Sequence, residues 1–436
     1  MKKVLVYGLA VTGISTVKTL DKLGYEVFTY DKNKDKDERL KGYNYSPIAD
    51  FKGDEKFDFV VKSPGIKPND DLLQKLEKDN EIISDIELSY RLFKDKKTIA
   101  ITGTNGKTTT TSLINHILNE SGEKAISVGN IGEGILWQMY NNEATFVEEV
   151  SSFQLHNTKY FKPHIGAILN ISPDHIDWHG SIENYIEDKF KLAINQDQND
   201  YLIINHDDKI LRNNKNKFKA KIYEFSIKEK VDKGIYLEDD KLYLKDEKET
   251  YLLSKDDLNI VGNHNLENVA VAILSIYLYG LNLKDIIKYC KSFKAISHRL
   301  EFVTKIKNVS FYNDSKATNV DSAIKAIDSF DKNIILIAGG YDKKIDYTPL
   351  FESSKEKVKT MILMGQTKKD LENLCINYRI NYYLVEDMKE AVNKSFEIMK
   401  DFDTVLLSPA SASWGMYDNY IKRGDDFKKR VLEKDV

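Results

Sequence analysis

Short apolar runs alternate with amphipathic stretches of helical period along most of this chain, a pattern that predicts an α/β fold. Residues 4–7 read as a strand, 8–13 as a tight loop and 14–23 as a helix ended by Gly24. Residues 25–30 read as a second strand tipped by Asp31, and 57–61 as a third that runs into Ser63, Pro64 and Gly65. A buried strand is expected at 98–101, then a helix from Lys107 with Leu113, Ile114, Ile117 and Leu118 on one face. Strands at 144–150 and 165–169 and a helix at 269–278 follow. Strands at 334–338, 360–364 and 404–407, spaced by helical segments, predict a second doubly wound unit. Between 201 and 255 the period changes to alternation with dense charge, which predicts hairpin-like strands at the periphery. The run 32–39 alternates charges and reads as a solvated loop.

Composition narrows this picture without redirecting it. A chain of 436 residues exceeds one ordinary domain, so two or three are expected. Hydrophobic residues make up 41% and charged residues 31%, which suits real cores beneath a charged surface. The net charge of −3, with both signs interspersed, excludes a nucleic-acid footprint. No apolar run approaches the roughly 20 residues of a membrane-spanning helix. The chain enters a strand at once instead of a signal peptide. Cys290 and Cys375 lack metal or redox spacing and read as buried free thiols in a reducing compartment. A cytoplasmic location is expected.

Candidate chemistry concentrates where strands end. Gly103, Thr104, Asn105, Gly106, Lys107, Thr108 and Thr109 join a strand to a helix N-terminus. Backbone N–H groups and the positive end of the helix dipole converge there on one point, an anion cradle. Lys107 adds a charge for outer phosphates, and the Thr108 hydroxyl suits Mg²⁺. The strict phosphate-loop pattern is missed because Ile101 stands at its first glycine, so the loop reads as a shortened ATP-binding variant. In the loop 8–13, Ala10 stands where a dinucleotide fingerprint has glycine, which favours another nucleotide diphosphate over NAD. The Ser63–Pro64–Gly65 loop either caps the same pocket or is an ordinary strand-to-helix turn.

Glu148 and Glu149 lie near a strand end, where ATPases place an acidic metal ligand. Alternation lets only one face the site, taken as Glu149; a surface-facing pair is the other reading. His175, flanked by Asp174 and Asp177, suits a metal or proton-transfer role and a structural role equally. Lys189, four residues after Tyr185, reads by itself as a solvated surface lysine. Asn265 and Asn268, with His264, fall near a helix start and fit either capping or ligand contact. Lys316, Thr318, Lys343 and Ser413 lie on loops at strand ends of the last unit. Their cations and hydroxyls suit a small ligand with more than one carboxylate.

Together, residues 103–108, 170–175, 262–265 and 313–319, with His298, Arg299 and Glu301, resemble the Mur ligase family of ATP-dependent, amide-forming enzymes of peptidoglycan synthesis. Within it, 63–66, 149–155 and 407–413 look like the member that adds D-glutamate to UDP-N-acetylmuramoyl-L-alanine. The Asp-Asn-Pro-Arg motif of the diaminopimelate- or lysine-adding member is absent from the sequence. The resemblance implies an α/β protein of three domains. These are a Rossmann-like UDP-substrate domain at 1–95, a central ATPase-type parallel sheet with peripheral strands at 96–296, and a Rossmann-like amino-acid domain at 297–436.

Carried across residue by residue, the resemblance gives ATP to the loop 103–109 with Asn265, Asn268, Arg299 and Asp314. It gives the UDP substrate to Ala10, Val11, Thr12, Asp31, Ser63, Pro64, Gly65, Asn130, Ser151 and Gln154. It gives D-glutamate to Lys316, Thr318, Lys343, Ser413, Trp414 and Tyr420. Lys107, Glu149, His175 and Lys189 would be catalytic. Thr108, Glu149, His175 and Lys189, the last carbamylated, would surround two Mg²⁺ ions. Ala10 and Ser411 depart from a frequent glycine and cysteine, each replaced by a small residue. The implied partners are the two small-molecule substrates, with no nucleic acid, and a monomer is expected. Another Mur ligase or a folylpolyglutamate synthase-like enzyme stays open as an alternative. A phosphate-loop kinase or ATP-driven switch is an alternative of a different class, one that leaves the Lys316 and Lys343 loops without a purpose.

Overall fold

The computed structural model describes residues 2–32, 38–130, 132–260, 262–294, 296–343 and 345–434. Residues 33–37 of the expected solvated loop therefore lie outside the described residues. The first sheet holds β1 (Lys3–Tyr7), β2 (Glu26–Tyr30), β3 (Ser46–Pro47), β4 (Phe59–Lys62) and β5 (Ile82–Ile83). Its order is β3-β2-β1-β4-β5 with every pairing parallel. The helix Val11–Lys22 crosses from β1 to β2. It begins earlier than the pattern suggested, because Ala10 takes an extended backbone with negative φ and serves as its N-cap. The glycines that this turn needs are Gly8, at φ +94°, and Gly13, where a Cβ would meet the Gly8 carbonyl at 1.9 Å. Position 10 has no such requirement, which is why alanine is tolerated there.

The second sheet holds β6 (Thr98–Thr102), β7 (Ala125–Gly129), β8 (Thr145–Glu149), β9 (Ile165–Ile168), β10 (Tyr201–Asn205), β11 (Lys221–Ser226), β12 (Gly234–Glu238), β13 (Lys241–Lys245) and β14 (Glu249–Ser254). Its order is β14-β13-β12-β11-β10-β9-β6-β8-β7. Ile99, Ala100 and Ile101 are fully buried, as expected for a parallel strand covered on both faces. The helix Lys107–Glu120 buries Leu113, Ile114, Ile117 and Leu118, the predicted stripe. The segment 201–255 differs from its expected form. β10, β11 and β12 pair in parallel and extend the sheet, and only β12, β13 and β14 are antiparallel. Period-two alternation reports that one face is wet; it says nothing about the direction of the neighbouring strand.

The third sheet holds β15 (Glu301–Ile306), β16 (Val309–Asn313), β17 (Ile334–Ala338), β18 (Val358–Leu363), β19 (Asn381–Leu384) and β20 (Thr404–Leu407), in the order β15-β16-β20-β17-β18-β19. Only β15 runs antiparallel to its neighbour. The chain forms two compact units, Met1–Asp257 with Leu266–Ser292, and Leu258–Asn265 with Phe293–Val436. Within the first unit, buried Glu87 joins the first two sheets. Its Oε2 accepts the backbone N–H groups of Lys159, Tyr160 and Phe161 at 2.9, 3.0 and 2.9 Å. Arg91 Nε donates to its other oxygen at 2.7 Å. Cys290 and Cys375 are buried free thiols. Among the described residues, no helix is long and apolar enough to cross a membrane.

Candidate active site

In parallel sheets, ligands collect at the carboxyl ends of the strands. The order β9-β6-β8-β7 places the ends of four strands side by side: Asn170, the glycine loop, Glu149 and Asn130. The glycine loop is held in a geometry that only glycine allows. Gly106 is the left-handed N-cap of the helix Lys107–Glu120, and a Cβ there would lie 2.4 Å from Asn268 Oδ1. At Gly103, φ is +153° and a Cβ would lie 2.9 Å from that of Leu169. Asn170 braces the loop, its Oδ1 accepting from Asn105 N at 2.9 Å and its Nδ2 donating to Asn105 O at 3.1 Å. The helix starts without a side-chain cap, so its first turn presents N–H groups suited to an anion. Lys107 Nζ lies back over the loop, donating to Gly103 O at 2.7 Å and Thr104 O at 2.9 Å.

Both acids of β8 are buried, so the surface-facing reading fails. Asn130 Nδ2 donates to Glu149 Oε1 at 2.9 Å, and Asn130 N donates to Glu149 O at 2.8 Å. Buried Oε2 of Glu149 has no hydrogen-bond partner among the described residues, as an oxygen reserved for a cation would. Glu148 points to the opposite face of the strand. Burial, then the charge of Asp85, pushes its pKa up to about 8.

Lys189 is the largest departure from its bland reading. It is 1% exposed, its Nζ 4.7 Å from the centre of the Tyr185 ring. Burial first, and the charge of Lys107 second, holds its pKa well below the ordinary lysine range. The Tyr185 hydroxyl shares a hydrogen bond of 2.9 Å with Thr104 Oγ1, which ties the helix Ile182–Phe190 to the glycine loop. His175 is exposed at φ +53° as the N-cap of the helix Ile176–His179, its ring 4.8 Å from that of Phe153. The sequence reading missed a cluster beside it. Asp188 Oδ2 takes His156 Nδ1 at 2.8 Å and His179 Nδ1 at 2.9 Å, and its Oδ1 accepts from Lys191 Nζ at 2.8 Å. Burial alone would raise the Asp188 pKa, but these three partners lower it overall. They anchor the helix on which Lys189 sits.

At the first sheet, the ends of β2, β1 and β4 bring together Asp31, residues 8–12 and Ser63–Pro64–Gly65. Asp31 Oδ2 accepts from Leu9 N at 2.5 Å, and Ser63 Oγ donates to Gly8 O at 2.9 Å. Val11 is exposed and Thr12 partly so. A cavity of about 370 Å³ opens here, lined in part by Tyr7, Gly8, Asp31, Gly65 and Asp70. The turn at 63–65 thus caps the loop of β1. Ser151 and Gln154 form a capping box at the start of the helix Ser152–His156.

Asn268 is the sixth residue of the helix Asn263–Tyr279, too far in to be a cap. It is buried, its Oδ1 accepting from Thr110 Oγ1 at 3.2 Å against the helix Lys107–Glu120. Asn265 is buried too. In the second unit, burial, then the charges of Lys325 and Arg299, lowers the pKa of His264 to about 4. A histidine kept neutral in this way contributes stability that is complete above its unfolded value of about 6.5, and the contribution is lost as pH falls through 4. Thermal melts of wild type should therefore decline across that window, and His264→Gln should flatten the decline.

The order β16-β20-β17 gathers the loops of the second unit in the same manner. Lys343 Nζ donates to Thr318 O at 3.3 Å and lies 5.8 Å from the centre of the Trp414 ring. Lys316 Nζ lies 5.4 Å from the ring of Tyr420. Ser413 is buried, and the neighbouring Ser411 hydroxyl bonds the Tyr347 hydroxyl at 2.7 Å. Asp314 accepts from Leu300 N at 3.2 Å and Ser408 Oγ at 2.8 Å, and burial pushes its pKa up to about 7. Arg299, half-buried, opposes that rise with its charge. Arg423 was not singled out from sequence, yet it clamps these loops: Nε donates to Ser315 Oγ at 3.0 Å, Nη2 to Ser315 O at 2.8 Å and Nη1 to Ser411 O at 3.0 Å. An Arg-Gly pair on the first turns of the last helix was the available signal; a Cβ on Gly424 would lie 2.2 Å from His298 Nδ1.

Known proteins match this chain along nearly its whole length. Residues 101–276 match the Mur ligase middle domain, and 298–411 match the Mur ligase glutamate ligase domain. The UDP-N-acetylmuramoylalanine--D-glutamate ligase of Clostridioides difficile (strain 630) is 42% identical over 442 residues, covering 99% of this chain and 98% of that protein. The protein of the same name from Caldicellulosiruptor saccharolyticus is 41% identical over 453 residues, covering 99% of each. Among solved structures, the UDP-N-acetylmuramate-alanine ligase MurC of Thermotoga maritima shares the fold at a TM-score of 0.61 and 17% identity, covering 100% of both chains. MurF ligase from the same organism, solved in complex with ADP, does so at 0.60 and 16%, covering 94% of this chain and 96% of that one. The chain belongs to the Mur ligase family.

Proposed function

We propose that this protein joins D-glutamate to UDP-N-acetylmuramoyl-L-alanine, with ATP converted to ADP and phosphate, in peptidoglycan precursor synthesis. The observation that carries the reading is the glycine cradle beside buried Glu149, in a chain about 40% identical along its length to D-glutamate ligases. A carboxylate resists nucleophiles because of its charge and because oxide is a poor leaving group. The γ-phosphoryl group of ATP therefore passes first to the L-alanyl carboxylate, giving an acyl phosphate. The amine of D-glutamate attacks the acyl carbon and a C–N bond forms; the C–O bond to the phosphoryl oxygen breaks, phosphate leaves with that electron pair, and the nitrogen gives up a proton. Holding the reactants together makes that attack effectively intramolecular.

In this reading the loop 103–109 holds the triphosphate, with Asn265, Asn268, Arg299 and Asp314 toward the nucleotide. Ala10, Val11, Thr12, Asp31, Ser63, Pro64, Gly65, Asn130, Ser151 and Gln154 receive the acceptor. Lys316, Thr318, Lys343, Ser413, Trp414 and Tyr420 receive D-glutamate. Mg²⁺, two ions in our reading, fits the Thr108 hydroxyl, the unpartnered Glu149 oxygen, His175 and a carbamylated Lys189, and when bound spreads the charge on the transferring phosphoryl group. Carbamylation suits Lys189 because burial favours its neutral amine, the form that adds CO₂: the N–C bond forms, a proton leaves the nitrogen, and the neutral amine becomes an anionic oxygen donor. Functional segments at 1–95, 96–296 and 297–436, a monomer and a cytoplasmic location complete the proposal.

The test is ADP release by purified protein with ATP, Mg²⁺ and UDP-N-acetylmuramoyl-L-alanine. Release should depend on D-glutamate; an enzyme idle in its presence, or turning over equally without it, overturns the reading. In the same assay Lys343→Ala should raise the KM for D-glutamate by about tenfold to a hundredfold, the worth of a charged hydrogen bond. The KM for ATP should hold.

A further inference from the structure

Beneath the residues assigned to the acceptor lie two buried charges that the chemistry above leaves unused. Asp85 opens the helix Asp85–Leu92, and Lys62 ends β4; each is 1% exposed. Aspartate and lysine are almost never fully buried unless they are paired. Both carboxylate oxygens of Asp85 accept from Gln154 Nε2, at 3.1 and 3.2 Å. At the other end of that amide, Gln154 Oε1 accepts from Ser151 N at 3.1 Å and Ser151 Oγ at 3.0 Å. An amide whose nitrogen faces a carboxylate cannot turn over without setting its own oxygen against that charge. Asp85 therefore fixes which end of Gln154 meets Ser151, and so where the Ser151 hydroxyl hydrogen points.

Lys62 does the corresponding work on the other loop. Its Nζ donates to Ile66 O at 2.9 Å, closing the turn that contains Ser63, Pro64 and Gly65, and it lies 5.1 Å from the centre of the Trp178 ring. The two charges also support each other. Burial raises the Asp85 pKa to about 6 and lowers that of Lys62 to about 8, and each charge favours the ionised form of the other.

We propose that Asp85 and Lys62 are positioning residues for the acceptor, Asp85 by orienting Gln154 and Ser151, Lys62 by closing the Ser63–Gly65 turn. The inference rests on the acceptor assignment above. Neither side chain touches substrate in it. The shared consequence is that two buried charged residues set the geometry of two acceptor loops that arise from different sheets.

The test varies one substrate at a time for Asp85→Asn and Lys62→Met. The asparagine keeps the shape but turns an N–H donor toward the Gln154 donor, losing one hydrogen bond and the charge. The KM for UDP-N-acetylmuramoyl-L-alanine should rise about tenfold to a hundredfold in each variant. The kcat and the KM values for ATP and D-glutamate should stay within about threefold, because a positioning residue acts on one substrate only. In a Gln154→Ala background, Asp85→Asn should add less than about threefold, since its route to the acceptor is already gone. Should Asp85→Asn fail to fold by thermal melt, Lys62→Met carries the test alone. An unchanged acceptor KM, an equal rise for all three substrates, or an additive double variant overturns the inference while leaving the ligase reading intact. A wild type that is idle with D-glutamate overturns the ligase reading and this inference with it.

Discussion

Lys107→Ala is expected to lower D-glutamate-dependent kcat by about 10²- to 10³-fold, the usual loss when one group aimed at developing charge is removed. The transferring phosphoryl group and the attacking carboxylate are both anionic, so their approach requires a fixed cation. In the proposed mechanism Lys107 supplies it from the first residue of the helix Lys107–Glu120, where it lies over the Gly103 and Thr104 carbonyls. Those carbonyls hold the ammonium at the loop without neutralising it, so ATP meets a charge whose position is set beforehand. Lys107→Arg should recover little, because a planar fork cannot occupy the place of a compact ammonium. Single-turnover measurement of ADP formation separates this loss from weakened binding, and a fall of less than about tenfold would remove Lys107 from the chemical step.

Lys189→Ala is expected to be nearly as damaging, by about 10²-fold or more, the scale on which a lost ligand or its support weakens a metal site. The physical case differs from that of Lys107. Two lysines packed near one another repel as cations, and burial of Lys189 penalises its charge further, so its amine is neutral under conditions where a surface lysine is not. A neutral amine is the form that adds CO₂. Wild-type activity should therefore fall when bicarbonate and dissolved CO₂ are removed and return when they are restored. The alanine variant should be insensitive to bicarbonate and regain partial activity with a short carboxylic acid that occupies the vacated space. Full activity of Lys189→Ala, or a wild type indifferent to bicarbonate, would end this role.

The glycine loop, the alternation of strand and helix, and the glutamate pair were legible in the sequence because each is a local statement. Spacing of glycines, a 3.6-residue apolar stripe and the alternation of faces along a strand all act within about ten residues. Local pattern was weakest where a partner far along the chain decides the outcome. The strands from 201 to 254 alternate whether their neighbour is parallel or antiparallel, so the nine-stranded sheet had to be observed. Lys189 carries no local sign of burial; the glycine loop that its helix is tied to, through Tyr185 and Thr104, lies about eighty positions earlier in the chain. Arg423 belongs with it, because its partners Ser315 and Ser411 lie on other strands' loops.

From the sequence came the class of fold, the glycine loop between strand and helix, the opposite facing of Glu148 and Glu149 along one strand, and the family. These follow from dihedral preferences and side-chain periodicity, which a chain carries before it folds. Tertiary structure alone decided that the Glu149 oxygen lacks a hydrogen-bond partner among the described residues, that Lys189 is a buried amine, and that Asp85 and Lys62 stand beneath two loops. Burial and pairing are properties of where distant segments meet, and desolvation changes a side chain's charge only once those segments have closed around it.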